Sequence, residues 1–339
     1  MVVSAAEASG DLLGGPLVEA LRVRRPNLHV TGIAGPAMRA AGVTPIGRTE
    51  ELGVAGLVEV VPALPRVLRL RRRLQAALAS KPRVAVLIDA PDLHLRLHGP
   101  ARALGVRTVQ LVAPQFWAWR PGRAKALASI ADRVLCLFRW EVEALRAHGA
   151  DAVWVGHPVL ERTQSRAPTG QGRPRLVLLP GSRGHERRRC ERAFAAAATA
   201  LGDSVEVHVA DAKNGLELLR AADLAVVAPG TATLEAALLG VPLVCAGALH
   251  PVSGFVARRL LAVDHVALPN LVLGRAAVPE VLQDLSVPAL LAPLRPILAD
   301  LAAAQQRAQE LADELRAALG PPGFAARAAD AVLDLAEAA

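Results

Sequence analysis

The chain has 339 residues, 53% hydrophobic and 21% charged, with 39 Lys and Arg against 31 Asp and Glu. That length suggests about two domains, each able to hold a core without disulfides, and the composition excludes a disordered chain. The net charge of +8 favours anionic partners and leaves nucleic acid, phosphorylated small molecules and anionic lipid surfaces open.

Residues 1–5 read as a strand that begins almost at once. No basic stretch precedes this short apolar run and Glu7 follows it, so a signal peptide is not expected. Glu7-Ala8-Ser9-Gly10-Asp11 reads as a turn into a helix over 12–24, capped by Ser9 or Asp11, with Gly10 letting the backbone approach a ligand. Residues 30–33 form a short strand, and Gly35-Pro36 opens the next helix. Residues 62–80 make a basic amphipathic helix in which Arg66, Arg69, Arg71, Arg72 and Arg73 alternate with Val67, Leu68, Leu70, Leu74 and Leu78. Pro62 and Pro65 are expected to end the structure before it. Its arginines form either a solvated face or a surface for anionic headgroups.

The apolar run 84–88 reads as a buried strand, which puts Asp89 where strand gives way to loop. Ligands of open parallel sheets bind beyond the strands' carboxyl ends, so Asp89 is a candidate general base, or else a cap of the following helix. His94 and His98 stand four apart near Asp89 and Asp92, but no third ligand with defined spacing accompanies them, and no metal site is expected. Strands at 106–112, 133–137 and 152–155 alternate with helical stretches.

Residues 161–174 are polar, carry Pro and Gly, and read as a linker. The strand–helix rhythm restarts at 175–179, 205–209, 224–228 and 241–246, and Ala/Leu-rich helices at 290–319 and 324–338 follow. The window 236–257 lacks charge over the length of a membrane span, yet Gly240, Pro242, Gly247, Pro251 and Gly254 break it, so a span is rejected. Cys136, Cys190 and Cys245 are far apart with no paired spacing, and read as core thiols in a reducing compartment. The expected fold is α/β, with two Rossmann-like domains whose parallel sheets face each other across a cleft. The expected boundaries are 1–160, a linker at 161–174, 175–320, and a helix at 321–339 that packs back on the first domain.

Two turns in the second half carry possible anion sites. Gly181-Ser182-Arg183 follows a strand and offers backbone N–H groups with a forked guanidinium. Gly230-Thr231-Ala232-Thr233-Leu234-Glu235 follows another strand and opens a helix, whose free N–H groups suit a phosphate while Glu235 suits ribose hydroxyls. An ordinary helix start is the competing explanation of the second. There is no nucleophile elbow, Walker loop or Gly-x-Gly-x-x-Gly fingerprint.

Taken in order, Glu7 to Asp11, Ile88 to Asp92, Pro114 with Trp117-Ala118-Trp119-Arg120, Gly156-His157-Pro158, Leu179 to Arg183, Gly230 to Glu235 and Leu268 to Leu271 resemble the lipid-A-disaccharide synthase family over nearly the whole chain. The resemblance implies an inverting GT-B hexosyltransferase of lipid A and lipopolysaccharide synthesis, peripheral on the inner face of the cytoplasmic membrane. It implies transfer of diacylglucosamine from UDP to diacylglucosamine 1-phosphate, forming a β-1,6-linked disaccharide phosphate and UDP. Asp89 then matches the catalytic base. Substrate and donor contacts fall on Glu7, Ser9, Gly10, Asp11, Trp119, Arg120, His157, Gly181, Ser182, Arg183, Gly230, Thr231, Thr233, Glu235 and Asn270. No metal and no cofactor are implied, the UDP-sugar being a substrate, and Arg66, Arg69, Arg71, Arg72 and Arg73 become the membrane contact. Against that pattern residues 184–228 are short by about one βα unit. Other readings are a GT-B enzyme with another acceptor, a UDP-sugar epimerase, or a non-catalytic homologue. A nucleic-acid module fits poorly, because no stacking aromatics interleave the basic charge.

Overall fold

The computed structural model describes residues 1–51, 60–113, 122–164, 172–181, 184–211, 214–247 and 265–338. The chain divides into two compact units, Met1–Pro158 with Pro322–Ala339, and Val159–Pro321.

Unit 1 begins with β1 (Val2–Ala5), α1 (Ala8–Arg24), β2 (Thr31–Ala34), α2 (Pro36–Ala40) and β3 (Thr44–Arg48). It continues through α3 (Val60–Ala79), β4 (Val84–Ile88), α4 (Pro91–Ala103), β5 (Arg107–Leu111), α5 (Gly122–Ile130), β6 (Arg133–Cys136), α6 (Arg139–Arg146) and β7 (Ala152–Trp154). The seven strands pair in parallel in the order β3-β2-β1-β4-β5-β6-β7. The chain therefore winds one way from β1 and the other way from β4, and the connections leave these neighbouring strands on opposite faces. That point is where a doubly wound sheet opens a ligand crevice.

Buried-strand sequence explains why β4 is central: Val84 to Ile88 are all buried, as a strand covered on both faces requires. Leu70, Leu74 and Leu78 of α3, spaced one helical turn apart, join Leu93, Leu97 and Ala101 of α4 against Ile33, Ala85 and Leu87. Two expectations are corrected here. Helix α1 starts at Ala8, so Ser9, Gly10 and Asp11 lie inside it, and its N-cap is Glu7 with no side-chain capping bond. Helix α3 runs through Pro65. Near a helix start a proline removes only one carbonyl's partner, which the apolar face of α3 offsets.

Unit 2 holds α7 (Val159–Arg162), β8 (Arg175–Leu179), α8 (Gly184–Leu201), β9 (Glu206–Val209), α9 (Gly215–Arg220), β10 (Leu224–Val227), α10 (Thr231–Leu238) and β11 (Leu243–Gly247). After these come α11 (Leu268–Leu273), β12 (Glu280–Leu282), α12 (Val287–Ala299) and α13 (Leu301–Leu319). The helix expected over 290–319 is thus two, broken at Asp300, whose carboxylate accepts from the Ala303 amide to start α13. The strand order is β12-β11-β10-β8-β9, with the reversal between β8 and β10. A doubly wound sheet of order 3-2-1-4-5-6 carries a third strand outside the second. Among the described residues none pairs with the outer edge of β9, the place such a strand would take and where one βα unit fewer over 184–228 leaves an open edge. On β9, Val207 and Val209 are 41% and 46% exposed, although in register with the buried Leu176 and Leu178.

The last helix, α14 (Phe324–Glu337), belongs to unit 1. It buries Phe324, Ala328, Ala329 and Val332, and pairs Asp330 with Arg24 of α1 and Asp334 with Arg133 of β6. All three cysteines are free and buried. Among the described residues no single helix is long and apolar enough to cross a membrane.

Candidate active site

Because the sheets are parallel, every segment that follows a strand lies at one edge, and in unit 1 that edge gathers Glu7 after β1, Asp89 after β4 and His157 after β7. Glu7 is exposed at the start of α1, and its carbonyl accepts the Asp11 amide at 3.0 Å. Asp89 is half-buried beside it in the topology, at the point where the sheet reverses.

The backbone there is unusual. Asp89 and Ala90 both have left-handed φ values, 49° and 48°, and so does Val112 at 69° just past neighbouring β5. Such residues cost roughly 1–3 kcal/mol each outside glycine and persist where their surroundings hold them. The Asp89 amide donates to Leu111 O at 2.8 Å. His94 Nδ1 donates to both Ile88 O and Asp89 O at 3.0 Å. Since both partners are carbonyls, Nδ1 carries the hydrogen and Nε2 accepts from the Ser4 hydroxyl at 3.2 Å. Gln110 Nε2 donates to Val112 O at 3.1 Å and Asp89 O at 3.4 Å, and Gln110 Oε1 accepts from His98 Nε2 at 3.0 Å.

The two histidines are therefore engaged with the protein itself, and no group of three or more His, Cys, Asp or Glu placed to hold a metal occurs among the described residues. Burial pushes the His94 imidazole down from 6.5 to about 4, against the two carbonyls that favour its proton. The unfolded chain takes up this proton near pH 6.5 and the folded chain only near 4, so stability declines as pH falls through that interval. At about 1.4 kcal/mol per unit the loss approaches about 3 kcal/mol. Thermal melts from about pH 7 down to 4 are expected to show it, and His94→Asn to flatten the decline.

Several residues expected to contact substrate have partners or packing roles within the fold. Asp11 is 3% exposed, and its carboxylate accepts the amides of Gly35, Ala37 and Met38 at 2.8, 2.8 and 3.0 Å. It caps α2, not α1, across the face of unit 1, which corrects the local cap expected of it. Gly10 is placed by packing: a Cβ there would sit 3.3 Å from Ala5 Cβ and 3.4 Å from Ile88 Cγ2. Ser9 is exposed on the same helix. His157 is buried with its ring tilted against Phe138 at 5.4 Å. Asn270 is fully buried; its Oδ1 accepts from Ala277 and Val278, and its Nδ2 donates to Val278 O and Glu280 Oε1.

In unit 2 the edge beyond β8 and β10 carries Gly181 and Gly230, flanking the reversal point. Gly230 has φ 147° and a Cβ there would meet nothing within 4 Å; Gly181 has φ 89° and faces Ala228. Such backbone belongs to glycine, and at Gly230 it puts no Cβ at the start of α10. Among the described residues no side chain caps that start, where Thr231 is exposed, and a helix start of this kind suits an anion. Thr233 is turned inward: its hydroxyl donates to Gly230 O at 2.8 Å and accepts the Leu268 amide at 3.3 Å. Glu235 lies 3.1 Å from Arg162, and burial raises its carboxyl while Arg162 opposes the rise. Trp119, Arg120, Ser182 and Arg183 lie outside the described residues. Ser4, Gln110 and Arg162 were missed, each being defined by a partner distant in sequence.

Two doubly wound units of this kind make the GT-B fold of sugar-nucleotide glycosyltransferases. The chain superposes on Arabidopsis thaliana UGT89C1 complexed with UDP at a TM-score of 0.63 with 15% identity, covering 98% of each chain. It superposes on MurG of Acinetobacter baumannii at 0.56 with 14% identity, covering 98% of this chain and 99% of that one. The family model described as lipid-A-disaccharide synthetase matches residues 1–211 and 202–320. The lipid-A-disaccharide synthase of Myxococcus xanthus is 37% identical over 372 aligned positions, covering 99% of this chain and 97% of the relative. That of Pseudomonas aeruginosa is 36% identical, covering 98% and 97%. The chain belongs to the lipid-A-disaccharide synthetase family.

Proposed function

We propose that this chain joins a diacylglucosaminyl group from its UDP donor to diacylglucosamine 1-phosphate, with inversion. Its role as a glycosyltransferase in lipid A disaccharide formation rests on the family it belongs to. The observation that carries the mechanism is Asp89, held at the reversal point of the unit 1 sheet by backbone that only a supported turn adopts. A single displacement needs a base on the face of the sugar opposite the departing diphosphate. In this reading Asp89 takes the proton of the acceptor's 6-hydroxyl as its oxygen bonds the anomeric carbon and the bond to UDP breaks. The glycine turns of β8 and β10, the positive end of α10 and the sequence-adjacent Arg183 meet the charge that grows on the leaving diphosphate. No metal ion takes part, and the rate is expected to be unchanged by EDTA.

The test is purified protein given UDP-diacylglucosamine and diacylglucosamine 1-phosphate, with mass spectrometry of the lipid product. A disaccharide phosphate accompanied by UDP supports the reading; UDP release with other acceptors only would replace it.

Helix α3 suits acylated substrates that reside in a bilayer. Arg66, Arg69 and Arg72 are exposed around a 44% exposed Leu68, whereas Arg73 reaches Ile46 O and Glu51. At about 1 kcal/mol per arginine, replacing Arg66, Arg69 and Arg72 with Gln is expected to weaken binding to anionic vesicles about 100-fold in flotation. Undiminished flotation would count against a peripheral membrane role for this helix.

A further inference from the structure

Two consecutive carbonyls in an extended strand point to opposite sides, yet Ile88 O and Asp89 O both converge at 3.0 Å on one ring nitrogen of His94. The left-handed turn at Asp89 makes that convergence possible. His94 has no exposed surface, so no water competes for its donor, and Ser4 on β1 fixes the ring from the other nitrogen. Gln110, oriented by His98, ties the same Asp89 carbonyl to the end of β5. The backbone of Asp89 is therefore fastened at its amide by Leu111 and at its carbonyl from two sides.

We propose that His94 is a positioning residue for the transfer reaction, fixing the direction in which the Asp89 carboxylate leaves the strand, with Ser4 and Gln110 completing the support. This rests on the reading of Asp89 as the base. The imidazole does not touch substrate. Its N–H holds two carbonyls in one place, and a carboxylate displaced by about an ångström loses up to about 100-fold in rate.

A mutant cycle tests it, with kcat, the KM of each substrate and melting temperature measured for every variant. His94→Ala is expected to lower kcat about 10-fold to 100-fold with little change in KM for the UDP donor. His94→Asn carries an amide N–H where Nδ1 stood and is expected to restore most of the rate. His94→Gln sets its amide further out and is expected not to, although both variants are polar and similar in fold cost. In an Asp89→Asn background, His94→Ala is expected to cause no further loss of kcat. The proposal is overturned if the His94→Ala loss persists undiminished in that background, or if kcat holds while only the melting temperature falls. If His94→Ala does not fold, equal rates in His94→Asn and His94→Gln overturn it. Full activity in Asp89→Asn would defeat the base reading itself, an outcome separate from an inactive Asp89→Asn combined with a fully active His94→Ala.

Discussion

Asp89→Asn is expected to lower kcat by about 10²–10⁴-fold, the usual contribution of a positioned proton acceptor, with the melting temperature unchanged. Asparagine is the one replacement that removes the base and spares the turn. It has the shape of aspartate and tolerates left-handed φ, which Asp89 adopts at 49°. Its backbone can keep the bonds to Leu111, His94 and Gln110, so the loss isolates the carboxylate chemistry. Steady-state kinetics with the lipid product read by mass spectrometry, beside a thermal melt, decide the matter. A kcat equal to that of the unaltered chain would remove Asp89 from the mechanism.

Asp11→Ala is expected to destabilise unit 1 by about 3–5 kcal/mol, a large share of the roughly 5–15 kcal/mol that keeps a domain folded. Three amides, those of the buried Gly35 and Met38 and the half-buried Ala37, lose their acceptor at once, and α2 loses its cap. Urea unfolding measures the loss. Kinetics on the folded fraction distinguish the two explanations of this residue: an acceptor for α2 leaves KM for the donor unaltered, whereas a substrate contact raises it. A midpoint within experimental error of the unaltered chain would refute the structural role.

The pattern of strands was legible wherever a strand is buried on both faces. β4 and β8 match the apolar runs residue for residue, because an uninterrupted run flanked by polar or Pro residues has few other uses. β3, Thr44–Arg48, was not seen: it contains Pro45 and Gly47, buries little, and exists because β2 offers it a partner. β12 has three residues and the same explanation. At the site, the position of Asp89 at a strand end was readable, but its left-handed backbone was not, since nothing in Asp-Ala-Pro demands it. The four-residue spacing of His94 and His98 was set aside as a metal site for want of a third ligand; what the two side chains do hold, carbonyls, Ser4 and Gln110, spacing cannot reveal. Asp11 and Asn270 sit in recognisable motifs, yet their hydrogen bonds hold the fold. Motif membership therefore pointed to the carboxyl ends of the strands in both sheets, and it does not separate side chains free to meet a ligand from those that shape the loops.

The return of α14 to unit 1 sets an order of events during synthesis. Its buried Phe324, Ala328 and Val332 face a unit whose strands are all complete by Trp154, with the whole of unit 2 translated in between. A nascent chain emerging at roughly 5–20 residues per second therefore exposes the bare flank of α1 for about 10–30 s before its cover is made. Unit 2, being continuous in sequence, has all its parts before that moment. The second unit of the chain can thus finish folding before the first.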